Sequence, residues 1–167
     1  MYTKPLWSGF NMINTKNILE NDNKHILENL GPNINKLKKS RVLVTGSKGF
    51  LGSTIISFLN HINKTIFTKK ERLEIIAIDY EDHDICKSML DISPEGNIDY
   101  IINCAGIASP KKYLKAPVKT LDVSYLGTKN IFNLAKLKNT KSVLMFSSSE
   151  VYGTPPAENI PTKEDFV

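Results

Sequence analysis

Short apolar runs alternate with stretches of helical spacing along the chain from Arg41 onwards. The apolar runs are typical of strands buried on both faces, and they predict strands over residues 41–45, 73–78, 100–104 and 143–146. Apolar positions three and four residues apart predict helices over 53–63 and 117–137, the second with Pro117 in its first turn. Because strands and helices alternate, we expect an α/β fold whose parallel sheet is covered on both faces.

The first 40 residues have a different pattern, which is polar and rich in Asn. Ile26, Leu27 and Leu30 are spaced for one helix face, and Gly31-Pro32 is expected to end that helix. We therefore expect residues 1–40 to form an arm of one or two short helices, packed on the main domain or on a partner subunit, with a flexible start. Residues 41–167 form the predicted main domain.

Composition excludes several classes of protein. The net charge is +5, but the lysines are scattered without interleaved aromatics, so we expect no nucleic-acid partner. No apolar run reaches the length of a membrane span, and the N-terminus lacks the features of a secretory signal. Cys86 and Cys104 suggest neither a disulfide framework nor a zinc site, and no metal is expected. The expected location is the cytoplasm.

A glycine-rich turn follows the first predicted strand and opens the first predicted helix of the main domain. Gly46, Gly49 and Gly52 allow a tight turn and a close approach of the backbone to a pyrophosphate at the helix N-terminus. The pattern is not that of nucleotide triphosphatases, because Lys48 precedes Gly49 instead of following it. Asp79 ends the second strand, where a carboxylate accepts hydrogen bonds from the adenosine ribose and repels a 2′-phosphate, so NAD is the expected cofactor.

Five motifs in order resemble the extended short-chain dehydrogenase/reductases, which modify nucleotide sugars: TGSKGFLG, Asp79, Asp91-Ile92, NCAG at 103–106 and SSSEVYG at 147–153. The resemblance covers about residues 41–167 and implies a Rossmann-like, doubly wound parallel sheet. It also implies four groups of residues around NAD. Gly46, Gly49, Phe50, Leu51 and Gly52 would line the dinucleotide, Asp79 would hold the ribose, Asp91 and Ile92 would flank the adenine, and Cys104, Ala105 and Gly106 would pass under the cofactor.

A closer resemblance is to the UDP-glucuronate decarboxylases, through residues 108–120 and Ser148–Gly153. It implies that Ser148 bonds the 4-OH of the sugar and that Ser149 and Glu150 lie beside its C5–C6 end. A 4,6-dehydratase of this family resembles the chain less, since it needs an Asp as an acid where this chain has Ser149. One departure is Ser124, which stands where the family usually has Asn.

The base of the family reaction is a tyrosine in a Tyr-x-x-x-Lys pair, two to three dozen residues after the serine. That position lies beyond Val167, and relatives are about twice as long. Tyr125 and Lys129 have the spacing, but their helix serves packing and subunit contact in the family, so we interpret the match as coincidence. We expect these 167 residues to be inactive alone and the full-length form to be a homodimer. A dehydratase, an epimerase or a non-catalytic NAD-binding fragment are the alternatives.

Overall fold

Four parallel strands form a single sheet in this computed structural model, which describes residues 15–89 and 95–166. The strands are β1 (Arg41–Thr45), β2 (Glu74–Ile78), β3 (Tyr100–Asn103) and β4 (Ser142–Met145). Their order is β2-β1-β3-β4, with Val44 aligned with Ala77 on one side and with Ile102 on the other. The predicted α/β fold with a parallel sheet is confirmed.

Four predicted strand ends, in three strands, are wrong by one residue. Leu73 precedes β2, Cys104 follows β3, and β4 is shifted by one residue so that Phe146 lies beyond it. These residues are apolar and so extend the run in the sequence, but the ladder of hydrogen bonds that defines each strand stops short of them. Periodicity therefore located the strands but did not determine their ends.

Two apolar cores lie on opposite faces of the sheet, as predicted. Val42 and Val44 of β1 pack with α2 (Phe50–Thr65), where Ile62 is fully buried. Leu43 points to the other face and packs with Ile131 of α5 (Thr128–Leu137), which is also fully buried. The helices are numbered in chain order. Because every second residue of a strand faces the opposite side, helices on both faces explain why all three β1 residues are at most 2% exposed.

The helices differ from the predicted set in three ways. α2 begins at Phe50 and not at residue 53, so the last residues of the glycine motif form its first turn. The predicted helix 117–137 is continuous but consists of α4 (Pro117–Asp122), a π-helical turn (Val123–Gly127) and α5. A short helix before it, α3 (Pro110–Lys115), was not predicted. Its polar, lysine-rich sequence has no apolar period that would indicate a helix.

The N-terminal arm packs on the main domain. α1 (Thr15–Leu30) contacts α2, and it ends at Leu30, as Gly31-Pro32 predicts, before a 3₁₀ helix over Gly31–Leu37. Ile34 of that 3₁₀ helix is 7% exposed and lies in the same core as Val42. The expected flexible start, residues 1–15, lies outside the described residues except for Thr15, where α1 begins. Across residues 15–89 and 95–166, no helix is long and apolar enough to cross a membrane.

Candidate cofactor-binding site

A cleft of about 660 Å³ opens at the carboxyl edge of the sheet. Parallel strands place their carboxyl ends at one edge of the sheet. β2 lies on one side of β1 and β3 on the other, so the connections that follow these strands diverge at β1. This divergence creates a crevice at the switch point of the strand order. The loops after these three strands line it, together with the β3–α4 segment: Gly46, Lys48, Gly49, Asp79, Tyr80, His83, Cys104, Ala105, Gly106, Lys112, Lys115 and Lys119.

The three glycines of the turn have different physical roles. Gly46 has φ +64°, and a Cβ there would lie 2.7 Å from the Cys104 backbone. A Cβ on Gly52 would overlap the carbonyl oxygen of Gly46. Gly49 has an ordinary φ of −71°, and a Cβ there would meet only the Gly46 oxygen, at 3.2 Å. The fold itself therefore requires glycine at 46 and 52, whereas Gly49 leaves space at the start of α2.

A buried polar pair lies beneath the turn. The Thr45 hydroxyl donates to Oδ1 of Asn103, and the two residues are 0% and 6% exposed. They are register partners on β1 and β3, so their bond joins the ends of the strands that carry the glycine turn and Cys104–Gly106. A hydrogen bond that is shielded from solvent is strong, and this bond therefore keeps the two loops in a defined relative position.

Asp79 lies in the cleft and is tied to the glycine turn. Its Oδ2 accepts a hydrogen bond from the backbone N–H of Lys48 at 2.8 Å, and its Oδ1 accepts one from the N–H of Tyr80, also at 2.8 Å. The sequence predicts a ribose-binding carboxylate at this position. The structure brings that carboxylate next to the turn that would hold the pyrophosphate, as a dinucleotide requires.

Two lysines make ion-pair and aromatic contacts around Asp79. The Lys48 ammonium donates to Glu81 at 2.6 Å, and this bond is the main cause that raises the pKa of Lys48. Lys119 of α4 donates to the Tyr80 hydroxyl at 2.9 Å, and its nitrogen lies 4.3 Å from the centre of the ring. The second contact joins the loop after β2 to the helix on the other side of the cleft.

The remaining residues predicted to bind the cofactor divide into three groups. Cys104, Ala105 and Gly106 line the cleft, and burial raises the pKa of the Cys104 thiol. Phe50 and Leu51 lie beside the cleft in the exposed first turn of α2, and Gly52 is buried under the turn. Asp91 and Ile92 lie outside the described residues.

The predicted catalytic residues lie on the surface, one strand away from the cleft. Ser148 precedes a 3₁₀ helix over Ser149–Tyr152, and its Oγ accepts a hydrogen bond from the N–H of Glu150 at 3.3 Å. All three residues are exposed. Because β4 pairs with β3 in parallel, they are at the same edge of the sheet as the cleft, but they do not line it. Tyr125 is 63% exposed in the π-helical turn and does not line the cleft either.

Sequence reasoning missed several residues of the cleft. His83 lines it, and its Nε2 is buried with no hydrogen-bond partner among the described residues. Tyr80, Lys112 and Lys119 also line it. His83 could have been considered from its place four residues after Asp79. Lys112 and Lys119 lie in the 108–120 stretch that carries the resemblance to the decarboxylases, but nothing in that stretch indicated a place at the cofactor cleft, because α3 and α4 come to the cleft only through the tertiary fold.

The residues of the cleft fit a dinucleotide. A side chain on Gly106 would meet nothing within 4 Å, so the loop after β3 borders open space. The N-terminus of α2, a 16-residue helix, directs backbone N–H groups and the positive end of its dipole toward that edge. An orphan nitrogen on His83 and a carboxylate on Asp79 add polar groups that a nucleoside would satisfy. Within the described residues, no cluster of His, Cys, Asp or Glu is arranged to hold a metal ion.

Comparison with known proteins gives matches over the main domain. UDP-glucuronic acid decarboxylase 1 of Danio rerio is 32% identical over 134 residues, which are 77% of this chain and 31% of the relative. UDP-glucose 4-epimerase of Dictyostelium discoideum is 29% identical over 75% of this chain and 40% of the relative. Among solved structures, RMD from Pseudomonas aeruginosa complexed with NADPH superposes with a TM-score of 0.58 at 26% identity, covering 77% of this chain and 42% of that one.

These matches cover only part of each relative's length. The chain spans about a third of the length of the decarboxylase and two fifths of that of the epimerase. The model of the family described as NAD dependent epimerase/dehydratase matches residues 42–167, three quarters of the chain. With its Rossmann-like parallel sheet and its glycine turn beside Asp79, the chain belongs to the NAD dependent epimerase/dehydratase family.

Proposed function

We propose that this chain binds NAD in the cleft at the carboxyl edge of its sheet and is the cofactor-binding part of an enzyme that modifies a nucleotide sugar. The observation that carries the proposal is the hydrogen bond from the Lys48 N–H to Asp79, which brings the turn for the pyrophosphate and the carboxylate for the ribose into one cleft. NAD, when bound, supplies a hydride acceptor and donor.

Each part of the cleft has a proposed task. Gly46 and Gly49 form the turn under the pyrophosphate, where the Gly49 N–H donates to the Gly46 carbonyl oxygen, and the first turn of α2, which has no side-chain cap, holds the pyrophosphate through its backbone N–H groups. Asp79 accepts hydrogen bonds from the adenosine ribose. Cys104, Ala105 and Gly106 form the floor under the cofactor. Asp91 and Ile92 remain proposed adenine contacts by resemblance alone.

The proposed reaction is decarboxylation of UDP-glucuronate, with oxidation at C4, loss of carbon dioxide and re-reduction. Support comes from the decarboxylase relatives and from Ser149, which cannot donate a proton as the Asp of a dehydratase does. Ser148 would orient the 4-OH of the sugar, and Glu150 would lie beside C5. These exposed residues would contact substrate only when further structure covers them.

A second candidate is 4-epimerisation, because an epimerase relative matches nearly the same share of the chain as the decarboxylases do. Both reactions begin with oxidation at C4, so the cofactor cleft does not distinguish them. The product distinguishes them, since only decarboxylation releases carbon dioxide.

Two measurements test the proposal. Calorimetry of the 167-residue chain with NAD tests binding, and failure to bind would reject the cofactor site. For the reaction, the native protein is purified from its source, its intact mass is measured, and its products from UDP-glucuronate and UDP-glucose are identified. Carbon dioxide with a UDP-pentose supports decarboxylation, a 4-epimer supports epimerisation, and a 4-keto-6-deoxy sugar supports dehydration. The 167 residues alone are expected to bind NAD without turnover, because no Tyr-x-x-x-Lys follows Ser148 in them.

A further inference from the structure

One side of β2 is open to a further strand. β2 lies at the end of the sheet, and no strand within residues 15–89 and 95–166 pairs with its outer side. Glu74 donates its N–H to the Ser40 carbonyl oxygen at 2.8 Å and so bonds inward, toward β1. Because the backbone groups of successive strand residues point to alternate sides, Ile75 and Ala77 direct theirs outward. Ala77 is exposed, and Ile75 is half-buried.

Side chains close this outer side at both ends. Oδ1 of Asn63 accepts a hydrogen bond from the Leu73 N–H at 2.9 Å, and Nδ2 of Asn63 donates to the Leu73 carbonyl oxygen, also at 2.9 Å. At the other end, Oδ2 of Asp82 accepts a hydrogen bond from the Asp79 N–H at 3.1 Å. The open part of the strand is therefore limited to the two outward residues between these ends.

The sequence of β2 does not protect this outer side. Exposed edge strands are commonly protected by Lys, by Pro or by a bulge. β2 reads EIIAI, its register with β1 is continuous, and its one charge, on Glu74, is held in an ion pair with Arg41 at 2.8 Å. An apolar edge of this kind is a template for pairing with another chain.

The residues at the two ends of β2 differ in charge. Three exposed cations precede the strand: Lys69, Lys70 and Arg72. Four carboxylates follow it within residues 79–84. Glu71, the one acid among the cations, is bonded to Lys38 at 2.9 Å, and Lys48 is bonded to one of the four carboxylates. An antiparallel second copy of the strand would therefore place a basic segment against an acidic one at each end.

We propose that two copies of this chain pair antiparallel through the outer sides of their β2 strands, with Ile75 opposite Ala77 of the second copy. Each such pair exchanges two backbone hydrogen bonds, and the two-fold axis repeats the exchange. The axis passes beside Ile76, which faces its own copy as a β-branched cross-strand pair. The spacing of the two open residues, with one residue between them, is what this self-pairing requires. The inference goes beyond the proposed function and needs no bound cofactor.

Two other arrangements are separated by the test. Residues 90–94 lie outside the described residues, and if they cover β2 within one chain, its amides are protected at any concentration. The second arrangement is a dimer through the apolar surface of α4 and α5, where Leu121 is 66% exposed. That surface is not part of β2, so a substitution there leaves the proposed pairing intact.

The test measures sedimentation of the 167-residue chain over a range of concentrations, together with hydrogen exchange of the Ile75 and Ala77 amides. Ala77→Pro removes one outward N–H but no bond to β1, and Pro is compatible with an edge strand when its position faces outward. The matched control is Leu121→Lys. We expect a dimer with a dissociation constant of about 10–100 µM, since two paired strands form a small interface. The dimer should be lost in Ala77→Pro and kept in Leu121→Lys, and the protection of both amides should rise with concentration.

A charge exchange gives a second test that leaves the strand unchanged. Lys70→Glu and Glu81→Lys are each expected to weaken the dimer by about fivefold, and the two together should restore it. Thermal unfolding checks that every variant is folded. A wild-type chain that stays monomeric, a dimer that persists in folded Ala77→Pro or disappears in Leu121→Lys, or amide protection independent of concentration would overturn the inference. Failure of the double charge exchange to restore the dimer would contradict the antiparallel arrangement.

Discussion

The backbone N–H of Lys48 donates to Oδ2 of Asp79 at 2.8 Å, which joins the glycine turn after β1 to the end of β2. The two residues are 31 positions apart in the chain, and β1 and β2 are neighbours in the sheet. The carboxylate that is proposed to select the cofactor therefore also supports the turn that is proposed to bind it. A substitution at Asp79 affects both, and variants that separate the two effects are needed.

Gly49→Val is expected to weaken NAD binding by about tenfold or more while the chain stays folded. The backbone at Gly49 suits any residue, and a Cβ there meets only the Gly46 oxygen at 3.2 Å, but the side chain would fill the approach to the pyrophosphate. Calorimetry measures the affinity, and thermal unfolding monitors the fold. Gly52→Ala is the contrasting variant, and it should lower Tm, because its Cβ overlaps the Gly46 backbone. Unchanged affinity in Gly49→Val would remove the pyrophosphate from this turn.

Asp79→Asn is expected to shift relative affinity toward NADP by about 1–3 kcal/mol. The substitution removes the negative charge but keeps an oxygen that accepts from the Lys48 N–H, so the turn stays supported. Asp79→Ala loses the hydrogen bonds to Lys48 and Tyr80 as well, and its Tm should fall below that of Asp79→Asn. The measurement is the ratio of dissociation constants for the two dinucleotides. The same ratio in wild type and Asp79→Asn would mean that another group contacts the ribose.

Ile34→Ala is expected to destabilise the chain by about 2–4 kcal/mol. Ile34 lies before the residues that match the family model, yet it is 7% exposed and packs in the core on the α2 side of the sheet. Its truncation leaves a cavity between the arm and that core. Chemical denaturation measures the free energy of unfolding. Ile18→Ala, at an α1 position that is 45% exposed, is the control and should change it little. Equal effects of the two would show that the arm does not share the core in solution.

Glu71 is expected to make the stability of the chain depend on acidity. Hydrogen bonds from Lys38 first, and then from Thr68, lower the pKa of the Glu71 carboxyl from 4.5 to about 2. Because the pKa is lower in the folded state, the carboxylate stabilises the fold above pH 4.5, and this contribution is lost as the pH falls toward about 2. The difference in Tm between wild type and Glu71→Gln should therefore be largest near neutral pH and shrink in acid. A difference independent of pH would contradict the ionic role of Glu71.

The sequence alone determined the class of fold and the place of the cofactor turn. β-Branched runs such as 41–45 have a period and composition that suit only a strand buried on both faces, and glycines three residues apart after such a strand are a local signal. Local signals of this kind depend only on neighbours in the chain, so they can be recognised without the tertiary structure. The strand ends were not accessible in this way, because pairing with the neighbouring strands decides them. The π-helical turn in the predicted 117–137 helix and the short α3 have no apolar period that marks them in the sequence.

Only the tertiary structure decided which residues share the cleft and which glycines are free for a ligand. Lys112 and Lys119 line the same cleft as Asp79 because α3 and α4 lie beside the loop after β2, a long-range arrangement that no spacing in the sequence encodes. His83 is near Asp79 through a local turn, in which its backbone N–H donates to the Asp79 carbonyl oxygen at 2.8 Å. The sequence treats Gly49 and Gly52 as equivalent members of one motif. In the fold, a side chain on Gly52 would overlap the carbonyl oxygen of Gly46, whereas Gly49 borders the cleft. The motif is local, but the reason for each glycine lies in the atoms that the fold brings against it.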